Sequence, residues 1–532
     1  MIETILTSVL AVAAIVYLVQ TYKVELQMMQ QNSYRNERYF RWWKSNSNYC
    51  STQRIIDVVV LLLMISQFNR LYIAIPVATL VFIVKSVLLA RKKYKKPLVF
   101  TKRVWRLFIT MLLFSAIFIF AASVSVGFEK ANDAVYAVGI AATILSVISW
   151  AVVAACNSAM KPVEASINKM YVDDAKRLLA QMPDMKVIGI TGSYGKTSTK
   201  HYLNRILSEH FDVLMTPGSF NTPMGVVRTV REMMKPYNNV FICEMGAKQI
   251  GDIKEICDIV HPEIGIVTAV GEQHLESFKS IENVQRTKFE LVDALPADGF
   301  AVLNNDFEYV ANRKVDNVRA YRYAVSNPQA ADYVATDIVY SEYGTRFTVE
   351  GEGHRLTVET KLVGECNISN LMAAVIVAMK LGVPEEKIRY AVQKIEQVEH
   401  RLNMKRTAGG VTIIDDAFNS NPDGSRMALD VLSRMTKGKR IVITPGMIEL
   451  GDKQEFHNRR FGEHIAKSVD VAIVVGQYNR DAIVSGIKSS GTFDESKILI
   501  ADSFAEAQQM LSGIIKAGDT VLYENDLPDT FK

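Results

Sequence analysis

The chain has 532 residues, 49% of them hydrophobic and 22% charged, which is too long for one ordinary core and leads us to expect three units. Its formal charge of +5 is unevenly spread: residues 1–160 hold 17 Lys plus Arg against 6 Asp plus Glu, and the remainder 44 against 50, so a basic apolar part of +11 is joined to a mildly acidic part of −6. The five cysteines, Cys50, Cys156, Cys243, Cys257 and Cys366, show no paired zinc-binding spacing, and their odd number argues against a disulfide framework, so the acidic part reads as belonging to a reducing compartment, with no nucleic-acid partner.

Residues 3–20 carry only Glu3 as a charge and are about long enough to cross a hydrocarbon core. A signal peptide is the alternative, but the basic leading region is missing and further apolar runs follow. Residues 55–90 are apolar but broken at Asn69-Arg70, which suits two helices joined by a tight turn, the first rather short. Residues 107–126 and 134–155 complete an expected set of five spans within a membrane region 1–160. Lys and Arg collect in 91–106 and 21–54 and are sparse near 67–71 and 127–133. With an odd number of spans, that pattern sets the N-terminus outside and everything after about residue 156 in the cytoplasm, as in an integral protein of a bacterial-type plasma membrane. The basic loops either serve topology and attract membrane lipid headgroups, or hold a lipid-diphosphate substrate.

A polar helical linker, 161–182, leads into Lys186-Val187-Ile188-Gly189-Ile190, an apolar run that reads as a buried parallel strand. It continues directly into Thr191-Gly192-Ser193-Tyr194-Gly195-Lys196-Thr197-Ser198, with a helix expected from about Thr197 to Glu209. Strand, glycine loop and helix make the setting of a phosphate-binding loop. Glycines let backbone N–H groups turn toward phosphate oxygens, the helix start adds a positive field, Lys196 reaches the terminal phosphates and the Thr197 hydroxyl can bind magnesium. The general pattern asks for Gly where Ile190 stands, so the strict motif is not met.

Here the sequence resembles the Mur ligases, the amide ligases of cell-wall precursor synthesis, whose loop Gly-Thr/Ser-x-Gly-Lys-Thr/Ser stands as Gly192 to Thr197. The resemblance runs in order over roughly 183–480 and looks closest to the branch that adds D-alanyl-D-alanine. After the α-helical membrane region read above, it implies α/β domains: a P-loop central ATP-binding domain at 183–400 and a Rossmann-like C-terminal domain at 401–532. It also implies that Gly192, Ser193, Gly195, Lys196, Thr197 and Ser198 bind ATP. The loop Thr216 to Gly225, with Asn221 and Thr222, resembles the family's acceptor loop. Val240 to Gly246 is a strand ending in Glu244, at the family's magnesium-binding glutamate. His274, in the loop after the strand Ile264 to Val270, stands at a magnesium-ligand histidine. Fourteen residues on, Lys288-Phe289-Glu290 resembles a Lys-x-Glu whose lysine is carbamylated, a step that needs a neutral amine. Gly364 to Asn370 resembles Gly-x-His-Asn-x-x-Asn, so Asn367 and Asn370 would contact adenine, while Cys366 replaces the usual histidine.

His400-Arg401-Leu402 marks the expected hinge, with Arg401 on the γ-phosphate, and Asp416 would bind the ribose. Asp415 to Pro422, after the strand Val411 to Ile414, resembles Asp-Ser-Tyr-Asn-Ala-Asn-Pro, which makes Asn419 and Asn421 substrate residues together with Glu449 and His457. Ser425 and Arg426 lie close by in sequence. The implied reaction is phosphorylation of an acceptor carboxylate by ATP and attack of an amino acid or dipeptide amine on the acyl phosphate. Lys196, Lys288, His274 and Arg401 would carry it, with two magnesium ions at Thr197, Glu244, His274 and Lys288. The membrane spans stand where the family has its first domain, so the acceptor, a cell-wall precursor or another carboxylate, could be lipid-linked. The tail 521–532 lacks the Lys-Gly-Ser-Arg ending common in the D-alanyl-D-alanine branch. A folate or poly-γ-glutamate ligase and a non-catalytic nucleotide-binding scaffold stay open as alternatives. Glu244, His274 and Lys288 speak against the scaffold.

Overall fold

The computed structural model describes residues 2–45, 51–66, 74–92, 94, 96–125, 131–341, 344–417 and 420–527. These fall into two compact units, one up to Asn168 and one from Lys169 to Leu527. The predicted linker 161–182 is helical: a helix runs Ser149–Leu179 through the boundary.

The first unit is all helix: Ile2–Gln31, Asn36–Ser45, Thr52–Ser66, Ala74–Arg91, Lys102–Ser125, Ala131–Val147 and the start of Ser149–Leu179. Leu10, Ala14, Leu18 and Leu26 of the first helix pack on Met64, Phe82, Met111 and Leu145. Charges inside this bundle are paired, as burial in an apolar setting requires. Glu25 accepts from Arg54 and Ser149, each at 2.8 Å, and Lys85 pairs with Asp57. Among the described residues, three helices are long and apolar enough to cross a membrane: Ile2–Gln31, Ala74–Arg91 and Lys102–Ser125. A fourth span results if the helices on either side of Ile148, bent by 77°, count as one. Five spans were expected; the described helix Thr52–Ser66, with 15 residues, is shorter than the about 20 that a hydrocarbon core needs. The expected break at Asn69-Arg70, and Cys50, lie outside the described residues.

The second unit holds two sheets. The larger contains β1 (Lys186–Thr191), β2 (Val213–Met215), β3 (Val240–Glu244), β4 (Ile264–Val267), β5 (Phe300–Asn304), β6 (Arg319–Ala324), β7 (Tyr333–Ser341), β8 (Gly344–Gly351) and β9 (His354–Thr360). Their order is β2-β3-β1-β4-β5-β6-β7-β8-β9, parallel as far as β7 and antiparallel beyond. β1 to β5 are near-continuous apolar runs because helices cover both faces, burying Ile188, Ile242 and Ile266 on one side and Val187, Phe241 and Val267 on the other. The smaller sheet contains β10 (Asn403–Arg406), β11 (Thr412–Asp416), β12 (Arg440–Thr444), β13 (Val471–Val475), β14 (Ile498–Ala501) and β15 (Thr520–Glu524), in the order β10-β11-β15-β12-β13-β14. Only β10 runs antiparallel. This is the expected Rossmann-like pattern. In the larger sheet β1 lies between β3 and β4, so the loop after β1 opens at the point where the winding reverses, the usual ligand crevice of such sheets.

Candidate active site

The loop after β1 is shaped by two glycines that nothing larger could replace. Gly192 has φ 151°, and a Cβ there would lie 2.0 Å from Thr268 Oγ1; Gly195 has φ 82°, and a Cβ would lie 2.3 Å from Asn370 Oδ1. Ser193 pins the loop from below, its hydroxyl donating to the Gly271 carbonyl and accepting from the Gly271 amide, both at 3.0 Å. The helix Lys196–Leu207 then begins with Gly195 as its cap, leaving first-turn amides aimed at the crevice. Lys196 folds across the loop mouth, donating to the carbonyls of Gly192 at 2.6 Å and Ser193 at 3.3 Å. Burial pushes its ammonium down to about 8, against the attraction of Glu244 and with the repulsion of Arg401. Ser198 is buried in the first turn.

Glu244, at the end of β3, joins three segments. Its Oε1 accepts from the Thr197 hydroxyl at 3.2 Å and the Asn221 amide at 3.1 Å, and its Oε2 pairs with Lys200 at 2.9 Å. Burial raises the carboxyl, but the charges of Lys200 and Lys196 together with its hydrogen bonds outweigh it and keep it below its ordinary value. The Thr197 hydroxyl and the Glu244 carboxylate are oxygen donors within one hydrogen-bond distance, which suits a hard cation completed by phosphate oxygens. No cluster of three or more His, Cys, Asp or Glu side chains that could hold a metal alone occurs among the described residues.

His274, in left-handed backbone at φ 54°, meets Glu449 of the C-terminal domain through Nδ1, and Glu449 also pairs with Lys248 at 3.4 Å. Burial lowers His274 in spite of Glu449. Lys288 is buried on the helix Ile281–Asp293, with no hydrogen bond or ion pair to its Nζ among the described residues. Burial first, then Lys196, hold it well below the ordinary lysine value, so its amine is available in the neutral form. Glu290, the other half of Lys-x-Glu, faces elsewhere: it accepts from the Gly251 amide at 2.7 Å and the Lys254 amide at 2.9 Å, capping the helix Asp252–Val260.

Asn367 and Asn370 sit on the first turns of the helix Glu365–Lys380. Asn367 accepts from the Tyr202 hydroxyl at 2.8 Å and donates to the Val363 carbonyl at 2.8 Å; Asn370 accepts from Thr199 at 3.3 Å beside Gly195. Cys366 is pushed up to about 12 by burial and by Asp416, so it stays a neutral thiol where a histidine could have changed charge. Arg401 is lowered by burial, with Asp416 and then Glu244 opposing. Asp416 accepts from the Leu402 amide at 3.2 Å, and burial pushes it up to about 6.

Two expected substrate residues prove to be helix caps. Thr222 accepts from the Gly225 amide at 3.3 Å and Asn421 from the Gly424 amide at 3.0 Å, each ahead of a helix that starts with proline. Asn419 lies outside the described residues. His457 pairs with Glu272 at 2.7 Å, and both line a cavity of about 130 Å³ with Asp423, Arg426, Arg460 and His464.

Three participants escaped sequence reading. Lys200 shares the buried face of its helix with Thr199, Leu203 and Leu207, and that three-to-four spacing was the signal that could have found it. Glu272 precedes His274 by two positions, but only the fold brings it to Lys453 and His457. Glu524 ends β15 in register with Asp416 of β11 and accepts from Ser420 at 2.5 Å; burial and Asp416 hold it well above the carboxylate range. Nothing in its local sequence announces that pairing.

Residues 190–378 match the Mur ligase middle domain family, and residues 400–523 match the Mur ligase glutamate ligase domain family. The UDP-N-acetylmuramoyl-tripeptide--D-alanyl-D-alanine ligase of Mycobacterium bovis is 32% identical over 382 residues, which cover 68% of this chain and 74% of that protein. The crystal structure of MurF from Acinetobacter baumannii is similar with a TM-score of 0.61 at 26% identity, covering 68% of this chain and 77% of that one. MurF from Thermotoga maritima, solved in complex with ADP, shares the fold with a TM-score of 0.61 at 24% identity, covering 68% and 80%.

Proposed function

The chain belongs to the Mur ligase family and is an ATP-dependent, ADP-forming amide ligase; from that premise we propose that it adds D-alanyl-D-alanine to a peptidoglycan-precursor carboxylate at a membrane surface. The observation that carries this reading is the Glu244 carboxylate, which touches Thr197 of the phosphate loop and Asn221 of the acceptor loop at once. A group so placed joins the phosphate to be transferred with the carboxylate that receives it.

Lys196 holds the terminal phosphates and Arg401 approaches the γ-phosphate from the C-terminal domain, both favouring the charge that spreads over the phosphoryl oxygens. Magnesium held by Thr197 and Glu244, and a second ion by His274 and Lys288, would neutralise the same charge. The neutral Lys288 amine can add carbon dioxide, losing a proton to give a carbamate, an anionic oxygen ligand. Asn367 and Asn370 hold adenine, and Asp416 the ribose. Closure of the C-terminal domain, through Glu449 on His274 and Lys453 on Glu272, excludes water from the acyl phosphate. The residues before 190 fall outside both family matches and include the apolar helices, which supports an integral membrane protein and a lipid-linked acceptor.

Full-length protein in detergent, given ATP, D-alanyl-D-alanine and a muramoyl-tripeptide acceptor in nucleotide-linked or lipid-linked form, should release phosphate only when both substrates are present. Lys196→Ala and Lys288→Ala should each abolish that release. Release that depends on glutamate instead, or full activity in either variant, overturns the reading.

A further inference from the structure

We propose that Lys200 is a built-in counter-cation that keeps a divalent metal off Glu244 until a nucleotide brings its phosphates, so that metal and nucleotide enter together. The inference rests on the reading of Glu244 as a magnesium ligand.

Lys200 and Glu244 are sealed from solvent, at 0% and 1% side-chain exposure, and their charged atoms lie 2.9 Å apart. A lysine in a helix faces water unless something holds it, and an unpaired charge in such a place is costly. Lys200 is held from two sides, because its ammonium also donates to the Gly218 carbonyl at 2.7 Å. Both contacts hold the ammonium beside Oε2.

The other carboxylate oxygen, Oε1, faces Thr197 and Asn221, and this is the side a metal would use. A cation there would stand within roughly 5 Å of the ammonium, in a closed site where charges are weakly screened. Glu244 and Lys200 together carry no net charge. The Lys196 ammonium, which lies across the loop mouth on the Gly192 and Ser193 carbonyls, adds positive charge beside them. Before nucleotide binds, the site therefore repels a divalent ion and attracts phosphates. Once the phosphates lie on Lys196 and the loop amides, the sign reverses and the metal becomes welcome.

This reading makes a prediction opposite in sign to that of a plain structural pin. Removing a residue that only orients Glu244 should weaken metal binding or leave it unchanged. Removing a counter-cation should strengthen it when no nucleotide is present.

The test is manganese binding to the full chain in detergent, read as loss of the free-ion paramagnetic resonance signal, with and without a non-hydrolysable ATP analogue. Wild type should bind weakly alone and about tenfold or more tightly with the analogue, and by linkage Lys200→Met should bind about tenfold more tightly alone while losing the same factor of coupling. Lys200→Arg should behave as wild type. Should Lys200→Met not fold, Lys200→Gln, which keeps a donor for Gly218 and loses the charge, is read in its place. Unchanged or weaker nucleotide-free binding in the charge-removing variant overturns the proposal. Adding Glu244→Gln should abolish the gained binding. If that binding persists in the double variant, Glu244 is not the ligand, and the reading beneath the proposal fails separately.

Discussion

At the level of single residues, the clearest consequence concerns Lys196. Burial brings its ammonium down to about 8 in the nucleotide-free protein, whereas an exposed lysine titrates near 10.5. The charged form is the one that binds phosphate, so capture of ATP is complete well below pH 8, half lost near it, and lost as the proton leaves above it. The kcat/KM for ATP, which reports the free enzyme, should fall above pH 8 at up to about tenfold per pH unit. Lys196→Arg, charged throughout that range, should remove the slope whatever it does to the plateau. A profile that stays flat to pH 9.5 would assign the phosphate charge to another group. Lys196 was legible in the sequence because its chemistry is local, a lysine in a glycine loop between strand and helix, whereas Glu244 at its strand end was singled out by the resemblance. Lys200 and Glu524 were not, because what defines them is burial against partners far along the chain, Glu244 and Asp416. Thr222 and Asn421, expected on a substrate, are placed at helix caps, a position that suits the same residue types.

At the level of elements, Lys-x-Glu splits into two jobs across one helix. On Ile281–Asp293, Lys288 is buried where the charge of Lys196 reaches it, while Glu290 closes the start of Asp252–Val260 by accepting two of its orphan amides. Glu290→Ala should therefore cost stability of about 1 kcal/mol, the usual worth of a helix cap, and Glu290→Gln should recover most of it. The measurement is thermal unfolding of the full chain, where a loss of that size in a domain of 150–250 residues shifts the midpoint by about 2–4 °C. A midpoint unmoved by Glu290→Ala would mean that water replaces the cap without loss. The strands around the site were readable because parallel strands covered on both faces are unbroken apolar runs, as in Ile264 to Val267. The helices of the first unit were less so. Hydropathy finds the apolar run at 134–155 but not the break at Ile148, where no proline or glycine stands to announce it.

At the level of the whole molecule, the two parts of the chain differ in the surface they present. In the second unit apolar side chains are gathered under helices and sheets, whereas in the first Leu62, Leu80, Ile117 and Phe120 stand 60%, 63%, 70% and 68% exposed. A water-soluble protein seldom leaves such a surface open, since contiguous apolar patches of this kind drive association. The buried charges of the first unit, Glu25, Asp57, Lys85 and Glu164, are paired, which is the arrangement an apolar surrounding requires. The basic stretch Arg91 to Arg106 offers a second, weaker attraction, to anionic headgroups. The two attractions separate by their response to salt and alkali. If charge alone holds the protein, about 1 M salt screens it, because the Debye length falls to about 3 Å. If the apolar helices span the bilayer, neither salt nor alkaline carbonate releases the chain and only detergent does. Fractionated membranes should therefore keep the protein in the pellet through both washes, with ligase activity appearing in solution only after detergent. Release by salt or carbonate would assign the helices to a peripheral role and would leave the ligase free to act on a water-soluble acceptor.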